Sequence, residues 1–333
     1  MTRWLLKMTK GFLILLLLIF VTGIAYEVIG KKQAAQEFPP PGSLVDIGDR
    51  HIQLDCRGRG QPTVVFESGL GVEGALSWSL VHDQVAKSTR ACTYSRAGIM
   101  WSDPHHGVNV QSIVNDLHTT LKMAGEQGPF ILVGHSLGGP YIMVYTKYFR
   151  EEVAGLVFVD ASHPEQTERF RALNLPKSNV HDYTEALYQI GAAVNWTGVV
   201  RAAAFFYGRL PNQPERDILA MKAYASTSLG AMLIEQDAIE GTLAEMGSFQ
   251  ALGDIPLYVL TGMKPKTADV LAELNWSVEQ EKQLQETWRQ MHEEQAAWSS
   301  NSRHQLVDDA GHYIQFDRPD VVIEAVQWVI ENP

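Results

Sequence analysis

Residues 129 to 145 read PFILVGHSLGGPYIMVY. Five apolar or small residues run into Gly134-His135-Ser136-Leu137-Gly138-Gly139, and an apolar pattern resumes at once. The first part reads as a buried strand and the last as a helix, so the serine between them sits on a sharp strand-to-helix turn. Such a turn needs small neighbours at minus two and plus two, which Gly134 and Gly138 supply, while Gly139 lets the helix pack closely. The turn lifts the hydroxyl clear of the backbone and offers N–H groups of the helix start to developing negative charge. A serine hydroxyl is a poor nucleophile until a neighbouring base takes its proton. The rest of the chain must therefore supply a base and an acid.

The same alternation recurs on both sides of the turn. Residues 44–56 alternate apolar and polar around a Gly-Asp pair, a hairpin signal. A buried strand at 63–67 leads into a glycine-rich loop, SWSLVHDQVAKST reads as an amphipathic helix, and RACTYSRAGIMWSD as a strand running into a loop. Helical spacing of Ile113, Leu117 and Leu121 ends on glycine. AGLVFVDASHP and IPLYVLTG (255–262) read as buried strands, SRHQLVDDAGH (302–312) as a short strand and loop, and PDVVIEAVQWVIEN as a closing helix. Continuous apolar strands alternating with helices mean an α/β fold with a parallel sheet covered on both faces. Residues 163–252 break the alternation with helical patterns alone, and are expected to form a cap inserted over the sheet. A second insert, 263–301, is rich in Glu, Gln and Trp and also reads as helical. A chain of 333 residues, 45% hydrophobic, can place all of 44–333 in one such domain with its inserts. The net charge of -11, with no run of Lys or Arg in the body, argues against nucleic-acid binding.

The start of the chain differs. Residues 11–26, GFLILLLLIFVTGIAY, carry no charge; Arg3, Lys7 and Lys10 precede them, and Glu27, Lys31 and Lys32 follow. Sixteen helical residues reach about 24 Å, and flanking Trp4, Leu5, Leu6, Val28 and Ile29 extend the apolar length toward the ~30 Å of a bilayer core. One expectation for 1–30 is a membrane anchor with its start inside, as the preceding basic residues favour. The other is a cleaved secretory leader, with Gly23 and Ala25 as a small-x-small site. Both put the body of the protein outside the cytoplasm, on the membrane or secreted. Residues 31–43, with three prolines, read as an extended linker. In an exported protein the two cysteines, Cys56 and Cys92, read as a disulfide, two buried thiols being the alternative.

Four motifs in order, FESGLG (66–71), YSRAGIMWSD (94–103), GHSLGG (134–139) and AGHYIQFDRPD (310–320), make the chain from about 42 to 331 resemble the α/β-hydrolase fold family. The resemblance implies a mostly parallel, twisted, eight-stranded sheet flanked by helices, and the chain order nucleophile, acid, histidine. The base is then His312, in a loop before the last helix; its neutral pKa range suits it to take and return the proton of Ser136. The family's usual place for the acid is just after the strand at 255–260, where Asp269 stands unusually late, seven residues past Gly262. The other place is the end of the preceding strand, where Asp160 closes GLVFVD. Asp160 is preferred and Asp269 stays open; Asp308 and Asp309 are too near His312 in sequence. The oxyanion donors implied are the backbone N–H groups of Leu137 and, after Ser68-Gly69, Leu70. Ser68 replaces the family's histidine there, and Ser95 its aspartate before R-x-G. In the family's sheet order the strands holding Cys56 and Cys92 are antiparallel neighbours, which supports the disulfide. His135 is expected to fill the turn and not to act as the base, and His105 and His106 to be loop residues. No metal site and no cofactor are expected.

The activity this implies is serine hydrolysis of a carboxylic ester or related acyl bond in a small-molecule substrate. The alternatives are acyl transfer with the same three residues, or a non-catalytic binding protein on a hydrolase scaffold. Leu187, Tyr183, Tyr188, Phe205, Phe206 and Tyr207 give the cap an apolar character suited to an apolar acyl or small aromatic group.

Overall fold

In a computed structural model of the chain, which describes residues 2–105, 107, 109–176, 179–204 and 212–333, the apolar runs become eight strands. They are β1 (Ser43–Asp46), β2 (His51–Arg57), β3 (Thr63–Glu67), β4 (Ala91–Ser95), β5 (Phe130–His135), β6 (Val153–Val159), β7 (Leu257–Gly262) and β8 (Ser302–Val307). Their order in one sheet is β1-β2-β4-β3-β5-β6-β7-β8. β1 and β2 pair antiparallel with their neighbours, and every pairing from β4 across to β8 is parallel. β3, β4 and β5 are buried along their whole length, the pattern of strands covered on both faces.

Helices fill both faces and the inserts: α1 (Thr2–Glu37), α2 (His82–Val85), α3 (Val110–Met123), α4 (Gly138–Tyr148), α5 (Gln166–Ala172), α6 (Asn179–Ala193), α7 (Val199–Ala203), α8 (Glu215–Asp237), α9 (Ile239–Gly247), α10 (Ala268–Leu274), α11 (Val278–Ala296), α12 (Ile314–Asp317) and α13 (Pro319–Glu331). The α3 stripe predicted from spacing, Ile113, Leu117 and Leu121, packs with Tyr141 and Val144 of α4 against Leu132 and Leu156 on one sheet face. Val322, Val326 and Val329 of α13 pack with Ile131, Val133 and Val157 on the other. α3 starts where Asn109 and Ser112 cap each other: Asn109 Oδ1 accepts from the Ser112 N–H at 2.9 Å, and Ser112 Oγ from the Asn109 N–H at 3.0 Å. α5 to α9 lie between β6 and β7, and α10 and α11 between β7 and β8.

Two local expectations differ from what is observed. SWSLVHDQVAKST does not make one amphipathic helix; a 3₁₀ turn, Gly74–Trp78, is followed by the single turn α2. Trp78 packs on Phe66 with ring centroids 5.0 Å apart, and His82 Nε2 donates to the Ala91 carbonyl at 2.8 Å. Anchoring to β3 and β4 overrides helical propensity there. The stretch expected as an extended linker over 31–43 is helical through Glu37, because KKQAAQE is built of good helix formers and the prolines begin only at 39. The next residue is fixed as well: the Phe38 carbonyl accepts from Trp101 Nε1 at 2.9 Å and from the Tyr224 hydroxyl at 3.1 Å.

α1 is long and apolar enough to cross a membrane, judged by length and composition. Cys56 and Cys92 face each other directly in the β2–β4 pairing and form a disulfide. His106, Phe205, Phe206 and Tyr207 lie outside the described residues, as does the side chain of Tyr183.

Candidate active site

Ser136 stands between β5 and α4 with a φ of +51°, a left-handed backbone that serine rarely adopts. Its glycine neighbours are required by contact. A β carbon at Gly134 would lie 2.6 Å from the Gly138 carbonyl carbon, and one at Gly138 2.5 Å from the Glu67 carbonyl oxygen. The Ser136 N–H donates to the Val159 carbonyl at 3.2 Å and its carbonyl accepts from Ser162 N at 2.9 Å, so β6 holds the turn in place.

His312, in the loop between β8 and α12, reaches both of its expected partners. Its Nε2 lies 3.0 Å from Ser136 Oγ, and its Nδ1 lies 2.7 Å from Asp160 Oδ2. His135 braces this loop: its Nε2 lies 2.9 Å from the His312 carbonyl oxygen. Burial, and then the neighbouring His312, push the His135 pKa down to about 3. His135 is therefore neutral at pH 7, and the ring nitrogen facing a carbonyl is the one that carries hydrogen.

Asp160 closes β6 with a φ of +48° and is buried. Its Oδ1 accepts from the Gly262 N–H at 2.8 Å and from Trp288 Nε1 at 2.9 Å, leaving Oδ2 to His312. Burial pushes the carboxyl up, but the His312 hydrogen bond and charge, with His292 and the Gly262 N–H behind them, outweigh it and hold Asp160 below the ordinary carboxylate range. Asp269 lies in the first turn of α10 and is exposed. The structure thus brings Ser136, His312 and Asp160 into one hydrogen-bonded chain and leaves Asp269 outside it.

The loop after β3 lies against the serine. A β carbon on Gly69 would come within 3.0 Å of Ser136 Cβ and 2.9 Å of His135 Nδ1, and Leu70 follows directly. Leu137 is the residue before the first turn of α4. Buried Arg96 fixes this loop from beneath. Its Nη1 donates to the Ser68 carbonyl at 2.7 Å and to Ser68 Oγ at 2.9 Å, and its Nη2 to the Gly69 carbonyl at 2.8 Å. The same guanidinium pairs with Glu67 at 2.6 Å and, through Nε and Nη2, with Glu235 of α8 at 2.8 and 2.7 Å. The two serines in unusual places are thereby accounted for. Ser68 joins the Arg96 clamp, and Ser95 Oγ donates to Gln53 Oε1 at 2.9 Å while accepting from the Ala75 N–H at 3.2 Å.

Reasoning from sequence missed Trp288, Gly262 and the supporting role of Arg96. A tryptophan in the Glu/Gln-rich insert and the arginine of YSRAG were the available signals. Behind Asp160, buried His292 bonds the Ala161 carbonyl at 2.9 Å and Thr261 Oγ1 at 2.6 Å. Burial is the main force holding its pKa down to about 4. His163, Glu165 and Glu294 stand within reach of a common metal ion. Arg169 already bonds both carboxylates there, to Glu165 Oε2 at 2.7 Å and to Glu294 Oε2 at 2.6 Å.

This arrangement can pass a proton from a hydroxyl to an imidazole held by a carboxylate, beside a backbone loop able to receive negative charge. Comparison with known proteins agrees with the architecture. A protein of Hormonema carpetanum described as the probable transporter efuK is 27% identical over 313 residues, which are 87% of this chain and 42% of that one. The chain spans about half or less of the length of the curated relatives it matches. The crystal structure of a bromoperoxidase from Bacillus anthracis is similar with a TM-score of 0.59 at 19% identity, over 87% of this chain and 99% of that one. An esterase from Thermogutta terrifontis is similar with a TM-score of 0.55 at 17% identity, over 85% and 93%. Residues 47–325 match the Alpha/beta hydrolase family, and with that match, the eight-stranded sheet and the serine turn together, the chain belongs to this family of hydrolases.

Proposed function

We propose that this protein is a serine hydrolase that cleaves a carboxylic ester through an acyl-enzyme on Ser136. The observation that carries the proposal is the unbroken path from Ser136 Oγ to His312 Nε2 at 3.0 Å and from His312 Nδ1 to Asp160 Oδ2 at 2.7 Å. In the first half-reaction Ser136 Oγ bonds to the acyl carbon as its proton passes to His312 Nε2. The carbonyl oxygen becomes an oxyanion at the Leu70 and Leu137 N–H groups. As the intermediate collapses, the bond to the leaving alkoxide breaks and His312 returns the proton to it. Water then repeats the sequence on the acyl-enzyme, releasing the acid and free Ser136. Asp160 stays ionised, holds the imidazole tautomer and stabilises its transient charge.

The N-terminal helix is part of the same proposal, as a retained anchor that holds the catalytic domain outside the cytoplasm. Basic residues before the apolar stretch support that orientation. Retention is supported by packing: a cut after Ala25 would remove Phe20 and Gly23 from their contacts with Trp196 and Thr197.

The test is fluorophosphonate labelling, and turnover of p-nitrophenyl esters of graded chain length, by the detergent-solubilised full chain and by Ser136→Ala. Labelling and turnover in the wild type that are lost in Ser136→Ala are the expected result. A wild type that neither labels nor turns over any ester would sink the proposal.

A further inference from the structure

One face of α1 is shaped for protein and the rest for lipid. Gly23, Glu27, Gly30 and Ala34 recur at helical spacing, and the last three are buried while Tyr26, Val28 and Ile29 are exposed. Small residues at three of these positions let another backbone approach closely. A β carbon on Gly23 would lie 2.3 Å from the Thr197 carbonyl oxygen, and one on Gly30 2.5 Å from the Arg201 side chain. Between them the Glu27 carboxylate accepts from Arg201 Nε at 2.9 Å and from the Ser226 hydroxyl at 2.6 Å. Arg201 belongs to α7 and Ser226 to α8, so the helix expected to cross the membrane is bolted to the cap. Withdrawing Glu27 would take this carboxylate from a buried guanidinium and leave it to the Ala223 carbonyl and the Ser226 hydroxyl, which makes this attachment specific.

The attachment fixes the depth of the cap. The edge of Phe20, inside the uncharged stretch, meets Trp196, with ring centroids 5.2 Å apart and an interplanar angle of 88°. Trp196 therefore lies within the depth of the apolar stretch, about 9 Å short of its outer end at Tyr26. Around it the cap exposes Leu187 (65%), Ile190 (62%) and Val199 (49%). An apolar surface continuous with a membrane helix is covered when it rests in lipid. These three side chains also line a cavity of about 340 Å³ whose other walls include Met221, Leu229 and Val72. Val72 is two residues beyond Leu70, so the inner wall of the cavity adjoins the proposed oxyanion loop.

We propose that the cap rests in the adjacent membrane leaflet and that this cavity receives the hydrocarbon chain of a membrane-resident ester entering from the bilayer. The inference rests on the Ser136 hydrolase proposal for its chemistry and on α1 for its geometry. An aqueous short-chain ester would gain nothing from the cavity, whereas a long chain would move from lipid into an apolar enclosure without crossing water.

The experiment uses the full chain in phosphatidylcholine vesicles. p-Nitrophenyl palmitate is dissolved in the bilayer, p-nitrophenyl acetate is supplied in water, and fluorophosphonate labelling reports Ser136. In Leu187→Glu/Ile190→Glu the ratio of palmitate to acetate turnover is expected to fall at least tenfold with labelling retained. An unchanged ratio in a labelled variant overturns the inference while leaving the hydrolase proposal intact. A wild type that does not label overturns both. A second measurement is independent of the chemistry: vesicles with brominated acyl chains should quench less tryptophan fluorescence in Trp196→Phe than in the wild type. Equal quenching in the two proteins would overturn the seat of the cap in the leaflet.

Discussion

Trp288 donates its indole N–H to Oδ1 of Asp160 at 2.9 Å, so the two oxygens of one buried carboxylate serve different masters: Oδ1 is held by α11, and Oδ2 holds His312. Orientation of the imidazole thus depends on a residue 128 positions away in sequence from the acid. Replacing Trp288 with Phe keeps most of the packing and removes the donor. A hydrogen bond to a charged group contributes about 1.5–3 kcal/mol, so kcat for a p-nitrophenyl ester should fall roughly tenfold or more. KM should change little, because Trp288 acts through Asp160. Steady-state kinetics beside the wild type checks this, and an unaltered kcat would remove Trp288 from any positioning role.

The identity of the acid can be read from a pair of variants. Asp160→Asn should lower kcat by roughly ten thousandfold, because the amide favours the wrong imidazole tautomer. Asp269→Asn should leave it within about twofold, as an exposed substitution away from the hydrogen-bonded chain. The reverse ranking would reassign the acid.

Arg96 neutralises two buried carboxylates, Glu67 and Glu235, at 2.6 and 2.7 Å. Arg96→Met should destabilise the protein by about 3–5 kcal/mol by leaving buried charge uncompensated. Urea unfolding in detergent measures this. A double variant that also carries Glu235→Gln should recover part of the loss.

Acid should weaken the fold before it protonates most carboxylates. His135 and His292 are buried and neutral, with pKa values near 3 and 4, whereas an unfolded histidine titrates near 6.5. Between those values the unfolded chain binds more protons than the folded one, so stability rises with pH across the window. Each group should cost about 1.4 kcal/mol per pH unit below 6.5. Asp160, held below its ordinary range, adds stability above that range that is lost as pH falls through its folded value, in the same direction. Unfolding free energies from urea titrations at pH 7.5 and 5.5 should therefore differ by about 2–3 kcal/mol. Equal free energies would mean that neither ring is held neutral by the fold.

The Cys56–Cys92 bond closes a separation of 36 residues across β2 and β4. Cys56→Ala/Cys92→Ala should lose about 3–4 kcal/mol in the chain-entropy account, with esterase turnover at 25 °C retained. Thermal unfolding with and without reductant gives the comparison.

The parts of this molecule legible in its sequence are those written by neighbours in the chain. Ser136 announces itself through Gly134 and Gly138 because the turn is local, and His312 through its loop before a proline-started helix. Asp160 is favoured because a carboxylate ending an apolar strand must find a partner, and the sheet supplies one. Trp288 could not be assigned this way: a tryptophan on a polar helix has many uses, and the contact with Asp160 exists only once α11 packs beside β7. The same holds for Glu27, whose partners Arg201 and Ser226 are 174 and 199 residues away. α2 failed in the opposite sense, since its apolar spacing suggested a longer helix than the buried Trp78 and His82 allow.

The guanidinium of Arg96 spans two bodies, the Ser68-Gly69 loop on one side and the Glu235 end of α8 on the other. Parting a cap from its frame at a buried charge would strand ions in a dry interior. The cap carries a second such joint at α7, where buried Arg201 meets Glu27 of α1. Two buried guanidinium–carboxylate rivets thus fasten this cap, one above the loop after β3 and one against α1.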